Sequence, residues 1–389
     1  MKKVKAEKAI TLVALVITII VLLILAGVGI GAIAGPEGLI AKVKQSAEEY
    51  NESARDEVET VNELLNILNG NKETITDEIT TIDGVAKENY TIKTNTKNVE
   101  ITIPKGFAPA ILDENTGNVI GKMPSNDWKN ISETDINNGL VIVDVDGNEF
   151  VWIPVDGINI KFSRYEFGNE TDGYYNPAIE KSGTDIVRVY FTETTPDTEV
   201  QNSVDRYKGF YIGRYEAGIE TERNSIGEAN VKPKCKRDLY VYNFVTKEQA
   251  ITLCNNMYLN IDTVGVGSKL ASSYVWCTVL RWFQYNGIDV NNSSDWGNYQ
   301  NSTGQAAENC GELHTTGFSN AWKMKNIYDL AGNVGEILTE NSSVEGKPCT
   351  ARGGSYNTYN EYMYAVLTSV FEEETADDNK GFRIVLYIK

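Results

Sequence analysis

A single histidine, His314, stands in the whole chain of 389 residues. With one imidazole, any histidine zinc cluster or Ser-His-Asp triad has to run through that residue. No serine or cysteine motif points to it, so it reads as an ordinary surface or loop residue. Cysteine is scarce as well. The five are Cys235, Cys254, Cys277, Cys310 and Cys349, widely spaced and with no Cys-x-x-Cys pair, which speaks against a structural zinc site. The odd count leaves at least one thiol free or paired between chains. Cys254 and Cys277 fall in helix-like apolar patterns and read as buried, while a disulfide among the others stays open. Positive charge is also short. Thirty-six Lys and Arg face 54 Asp and Glu, for a net charge of −18. Nucleic-acid phosphates would be repelled, so no nucleic-acid partner is expected; the acidity otherwise serves solubility.

What the chain does have is apolar and aromatic material. Hydrophobic residues make up 41%, enough for a sizeable core, and there are 21 Tyr, 6 Trp and 11 Phe. Tyrosine gives large contact area at low entropic cost and is common in binding loops, although most of these rings belong in a core. Ala9 to Ala34 is a run of 26 residues without a charge. A helix of that length crosses a hydrocarbon core of about 30 Å, and the run is too long for the apolar part of a cleaved secretory signal. Lys2, Lys3, Lys5 and Lys8 precede it, which places the N-terminus in the cytoplasm and the rest of the chain outside a bacterial cell membrane.

Residues 8–15, Lys-Ala-Ile-Thr-Leu-Val-Ala-Leu, resemble the N-terminal segment of type IV prepilins and pseudopilins. The resemblance implies cleavage between Ala9 and Ile10, and a pilus or pseudopilus assembly machinery as partner. The family's glutamate five residues into the mature chain is Ala14 here, a departure that counts against fibre assembly as a structural minor pilin. A plain uncleaved signal anchor is the alternative. Residues 1–35 thus form the anchor. Beyond it, Val43, Ala47, Tyr50, Ala54, Val58, Val61, Leu65 and Leu68 recur at spacings of three and four. They predict an amphipathic stalk helix over 36–70, with Pro36 in its first turn. It could pack on the following domain or form a short coiled coil. Residues 71–98, rich in Thr, Asn and charge, read as linker or short edge strands, and a domain spans 99–389.

Within that domain Val99, Ile101 and Ile103 alternate. Leu140 to Val145 alternates again and meets Phe150–Pro154 across an Asp146-Gly147-Asn148 turn. Gly209-Phe-Tyr-Ile-Gly-Arg-Tyr-Glu216 reads as the next strand. Thr246 opens a helix with Ala250, Leu253 and Met257 on one face. Lys269-Leu-Ala-Ser272 precedes a second helix through Val275, Trp276, Val279, Leu280, Trp282 and Phe283. Then come Trp296-Gly-Asn298, Tyr328-Asp-Leu-Ala-Gly-Asn-Val-Gly-Glu336, Arg352-Gly-Gly-Ser-Tyr356 and Gly381-Phe-Arg383. Each motif alone is weak. In this order, over about residues 140–389, they resemble the formylglycine-generating enzyme (sulfatase-modifying factor) family. The resemblance implies an α+β, C-type-lectin-like fold behind the transmembrane, prepilin-like helix.

The family's two copper-binding cysteines fall, on an ungapped count, at Met363 and Thr368, and no cysteine lies between Asn357 and Lys380. Soft thiolates select Cu(I), so no copper and no oxidase activity are expected, and an active oxidase is disfavoured. The family also implies calcium. Its Gly-Asn-x-x-Glu segment puts Asn333 and Glu336 forward as ligands, with Asn298 weaker, since calcium takes carboxylate and carbonyl oxygens; the alternative is that they only hydrogen-bond a turn. Asn357, Tyr359, Asn360, Tyr362 and Tyr364 replace the catalytic loop and are the candidate ligand-binding residues. The partner is an unknown protein or glycan ligand. The same loop in variable proteins of diversity-generating retroelements is enriched in Asn and Tyr by adenine mutagenesis, which is an alternative origin for this composition. Glu372–Glu374 with Asp377 and Asp378 read as a solvated acidic loop. The reading as a whole is a membrane-tethered, non-catalytic extracellular adhesion protein. N-terminal sequencing of membrane-extracted protein should find Ile10 at the start; a chain beginning at Met1 would leave the plain anchor.

Overall fold

The computed structural model describes residues 81–94, 100–165, 167, 193–359 and 364–389, together with the backbone of 179–182 and 185–188. The apolar run 9–34, the cleavage residues Ala9 and Ile10, and the stalk helix 36–70 lie outside the described residues. Among the described residues no helix is long and apolar enough to cross a membrane.

The architecture is mixed and sheet-rich, α+β. Eleven strands build its two larger sheets. In chain order they are β1 (Phe107–Leu112), β2 (Val119–Lys122), β3 (Val141–Asp144), β4 (Glu149–Pro154), β5 (Gly209–Gly213), β6 (Val266–Leu270), β7 (Gly335–Asn341), β8 (Cys349–Arg352), β9 (Thr368–Phe371), β10 (Lys380–Phe382) and β11 (Ile384–Ile388). The first sheet is antiparallel throughout, in the order β6-β11-β5-β4-β3-β1-β2. The second runs β9-β8-β7-β10, with β7 and β10 parallel. Three helices of ten or more residues accompany them: α1 (Thr198–Tyr207), α2 (Lys247–Asn256) and α3 (Ser273–Tyr285).

Successive side chains on a strand point to opposite faces, and the centre of the first sheet is apolar on both. Phe150 and Trp152 of β4 and Tyr211 of β5 join one core with Ala250, Leu253 and Cys254 of α2. Val151 and Ile153 of β4, with Phe210 and Ile212 of β5, join a second core with Val200 and Val204 of α1 and Val275, Trp276 and Val279 of α3. A sheet covered on both faces needs uninterrupted apolar strands, as Phe150–Ile153 shows. The β3–β4 turn falls at the anticipated place, with Gly147 at φ +82° and Ile142 opposite Phe150.

Helix starts follow the capping rules. Thr246 accepts from the Gln249 N–H, and the Gln249 side chain accepts from the Thr246 N–H. Ser272 caps α3 and Asp197 caps α1. The third of these helices, α1, has no counterpart in the motif reading.

Strands at Thr81–Ile82, Val85–Ala86 and Tyr90–Lys93 lie inside the segment read as linker or edge strands. Tyr90–Lys93 pairs with Glu100–Ile103, and Val85, Ala86 and Ile92 are buried in the first core. A short strand that buries every second side chain has the composition of a linker when its outward half is polar. The described residues accordingly belong to the unit Glu78–Lys389. All five cysteines are free thiols and four are buried, only Cys310 being partly exposed. Burial pushes the Cys235 thiol up to about 12.

Candidate ligand-binding face

The candidate face rests on a buried charged centre. Arg383 occupies the one position between β10 and β11, where the chain passes from the second sheet into the first. Its side chain is fully buried. Nε donates to Glu336 Oε1 at 2.7 Å, Nη1 to the Gly213 carbonyl at 2.9 Å and Nη2 to the Tyr328 carbonyl at 2.9 Å. Nη2 also meets Glu336 Oε1. The guanidinium therefore ties β7, the end of β5 and the segment at 328.

Two more buried carboxylates stand near this pair. Glu216 accepts from Asn333 Nδ2 at 2.7 Å and from the Val334 N–H at 3.1 Å. Asp329 Oδ2 accepts from the Gly317 N–H at 2.8 Å. Burial pushes Glu216 well above the usual carboxylate range, and Asp329 and Glu336 push it further, against Arg383. Burial also raises Glu336, opposed by Arg383, and pushes Asp329 up to about 7. Burial thus moves all three acids toward the protonated form, and Arg383 opposes the shift.

The three calcium candidates belong to this network and are hydrogen-bonded within it. Asn333 Oδ1 accepts from Asn298 Nδ2 and from the His314 N–H, both at 3.1 Å. Asn298 Oδ1 accepts from the Gly311 N–H at 3.1 Å. Glu336 Oε1 is taken by Arg383. N–H donors thus hold the side-chain oxygens of Asn333 and Asn298 and Oε1 of Glu336, while the buried Glu336 Oε2 has no hydrogen-bond partner among the described residues; no group of three or more His, Cys, Asp or Glu gathers around a metal position among the described residues. Asn298 and Asn333 thus hydrogen-bond the turn, as the alternative reading has it. The glycines of these motifs have a steric cause. Gly332 has φ +81° and a Cβ there would lie 2.0 Å from the Asn298 carbonyl oxygen; Gly353 has φ +88° and would meet the Leu330 carbonyl at 2.7 Å.

The network reaches the surface through two segments. Asn333 binds His314 at both its N–H and its carbonyl, and Asn298 Nδ2 donates to the Glu312 carbonyl. The loop after Arg352 is fixed by Tyr356 N–H to Asn333 O at 2.9 Å and Gln300 N–H to Thr358 O at 2.9 Å. On this base Asn357 is exposed and Tyr359 is 53% exposed. Asn360, Tyr362 and Met363 lie outside the described residues. Tyr364 contradicts the sequence reading of the loop. It is 2% exposed and packs in the second core with Ala365 and Val366, while Trp276 Nε1 donates to the Ala365 carbonyl at 3.1 Å. Ring burial against α3 outweighs exposure there. Thr368 is buried on β9.

Beside the loop lies a cavity of about 280 Å³. Its wall includes Tyr240, Asn243, Phe244, His314 and Asp378. Asp378 connects it to the loop, since Tyr356 Oη donates to Asp378 Oδ2 at 2.9 Å. Burial, then Asp378, push the Tyr356 phenol up to about 12. His314 is half-buried and lies flat on Phe318, ring centroids 4.0 Å apart, so it is more than an ordinary loop residue. The sequence reading missed Glu216, Asp329 and this cavity. The run Tyr240-Val-Tyr242-Asn-Phe244, with an aromatic at every second residue as in a strand, was the available signal.

No established sequence family matches the chain, and no curated protein does. Among solved structures, Treponema denticola variable protein 1 aligns over 62% of this chain and 97% of its own, at 15% identity and a TM-score of 0.36. PvdO from Pseudomonas aeruginosa aligns over 63% and 96%, at 12% and 0.33. CarF aligns over 47% and 87%, at 15% and 0.32. At scores this low the likeness carries no argument about the fold or function of this chain.

Two outcomes follow. Tyr364→Ala should destabilise the protein by about 3–5 kcal/mol, the usual cost of emptying a buried aromatic site, whereas Tyr359→Ala should leave the denaturant midpoint unchanged. Asp329 has a folded-state pKa of about 7 against an ordinary 3.8. Its contribution to stability is fully present below the ordinary value and is lost as pH rises through the folded one. Asp329→Asn should therefore flatten the fall in stability between about pH 4 and about 7, read by denaturant titrations across that range.

Proposed function

We propose that this chain is a membrane-tethered extracellular binding protein. Its lectin-like domain engages a protein or glycan ligand through the face of Asn357, Tyr359 and the adjoining cavity, without oxidase chemistry. The observation that carries the reading is the contrast on this face. Exposed Tyr359 and Asn357 sit on a loop held from below by Asn333 and the buried Arg383 network. Tyrosine on a rigid base binds with little ordering cost. Arg352-Gly-Gly-Ser and Gly381-Phe-Arg383 flank this loop, and β8 and β10 both pair with β7, an arrangement in keeping with the lectin-like resemblance. At the second copper position stands the Thr368 hydroxyl, which offers no thiolate. The apolar run 9–34 supports the tether.

The full chain in detergent micelles, immobilised and probed with a glycan array and purified extracellular proteins, tests this. A retained ligand should weaken about tenfold or more in the Asn357→Ala/Tyr359→Ala variant, as for a central aromatic contact, with the melting temperature unchanged. Undiminished binding by that variant would move the site elsewhere. Incubation with copper, oxygen and a cysteine-containing sulfatase peptide should give no aldehyde above background; aldehyde would restore the enzyme reading.

A further inference from the structure

We propose that the cavity beside the loop receives a lysine side chain of a protein partner, an inference that rests on this face being the binding face. The wall carries two acids, Glu222 and Asp378, and one arginine. That arginine is already engaged. Arg223 Nε donates to the Asn243 carbonyl at 3.0 Å, Nη1 to the Glu228 carbonyl at 3.0 Å, and Nη2 to the carbonyls of Phe244 and Gly227 at 3.0 and 3.4 Å. Its guanidinium also lies over the Tyr242 ring. It shapes the wall and has few donors left for a ligand. His314, the other basic side chain, has Nε2 2.7 Å from the Asn309 carbonyl. The negative charge of Glu222 and Asp378 is what the cavity offers, so an anionic group is repelled and a cation attracted.

The rest of the wall selects among cations. Tyr240, 44% exposed, and Phe244 supply aromatic faces, and Val241 and Leu313 are aliphatic. Phe244 sits at φ +51°, a conformation bulky residues rarely adopt. Its N–H bonds the Asp377 carbonyl and its own carbonyl bonds Arg223, which hold it there. Asn243 is 4% exposed. Its Nδ2 donates to the Asp378 carbonyl at 3.1 Å, which fixes the amide orientation, and its Oδ1 has no donor among the described residues. An ammonium brings three donors and no acceptor. It suits a wall that carries two carboxylates and the unpartnered Asn243 Oδ1, and it gains further from ring faces. A lysine's four-carbon stem suits the aliphatic and aromatic sides. An amino sugar has no such stem. A volume of about 280 Å³ admits one side chain, and is smaller than the roughly 300–1,000 Å³ of sites for larger ligands.

Ligand-observed NMR titration of the full chain in detergent micelles decides it. The probes are Nα-acetyl-lysine methylamide, its norleucine counterpart, which has the same stem without the ammonium, and glucosamine. The lysine probe should bind about fivefold or more tighter than the norleucine probe, the size of a partly exposed cation–π and carboxylate contact. That preference should vanish in Glu222→Gln/Asp378→Asn with the melting temperature kept. Equal binding of the norleucine probe, tighter binding of glucosamine, or no binding by any probe overturns the proposal. In each case a Tyr359→Ala variant that still loses the retained ligand leaves the binding face standing, and one that does not removes both.

Discussion

A guanidinium sealed away from water at a one-residue crossing between two sheets is the constraint that orders the C-terminal half of this protein. Arg383 is the sole residue between β10 and β11, so its position is dictated by both sheets at once. A buried cation without a partner costs several kcal/mol. Glu336, on the strand parallel to β10, supplies the partner, and the carbonyls of Gly213 and Tyr328 take the remaining donors. The two sheets cannot slide independently without stranding that charge.

The same centre explains why so much of the polar inventory is internal. Glu216, Asp329 and Glu336 crowd one guanidinium, and Asn333 and Asn298 carry the hydrogen bonding outward to the segment around His314 and to the loop after Arg352. A second buried pair, Arg352 with Glu340 at 3.1 Å, braces the adjacent strands, and Arg164 lies 3.2 Å from the other Glu340 oxygen. The surface loop and the cavity wall are thus backed by buried, low-dielectric hydrogen bonds. A binding face built this way keeps its shape before a ligand arrives, which reduces the entropic cost of association.

The acid-rich composition has two separate meanings. Most of the negative charge is solvated, as at Glu372, Glu373 and Glu374, all exposed. A small part is buried, at Glu216, Asp329 and Glu336, where burial raises each pKa and makes the core sensitive to pH. Asp378, next along the chain, is exposed like the first group but stands at the cavity, tied to Tyr356 and, through its backbone, to Asn243. Composition alone does not separate these roles, because net charge carries no information about depth.

Local rules were legible in the chain. The β3–β4 turn, the Thr246 and Ser272 caps and the apolar faces of α2 and α3 follow from hydrogen-bond satisfaction and from periods of 2 and 3.6 residues, which act over a few neighbours. The glycines at 332 and 353 sit where the backbone is crowded. Other features depend on contacts between residues far apart in sequence. Whether Tyr364 is exposed or buried, and whether residues 81–93 are linker or strand, were settled by packing. So was the meeting of Asn243, His314 and Asp378 around one cavity. The physical reason is range: capping and side-chain alternation are decided within a turn or a strand, while burial and charge pairing are decided by whichever distant segment the fold brings alongside.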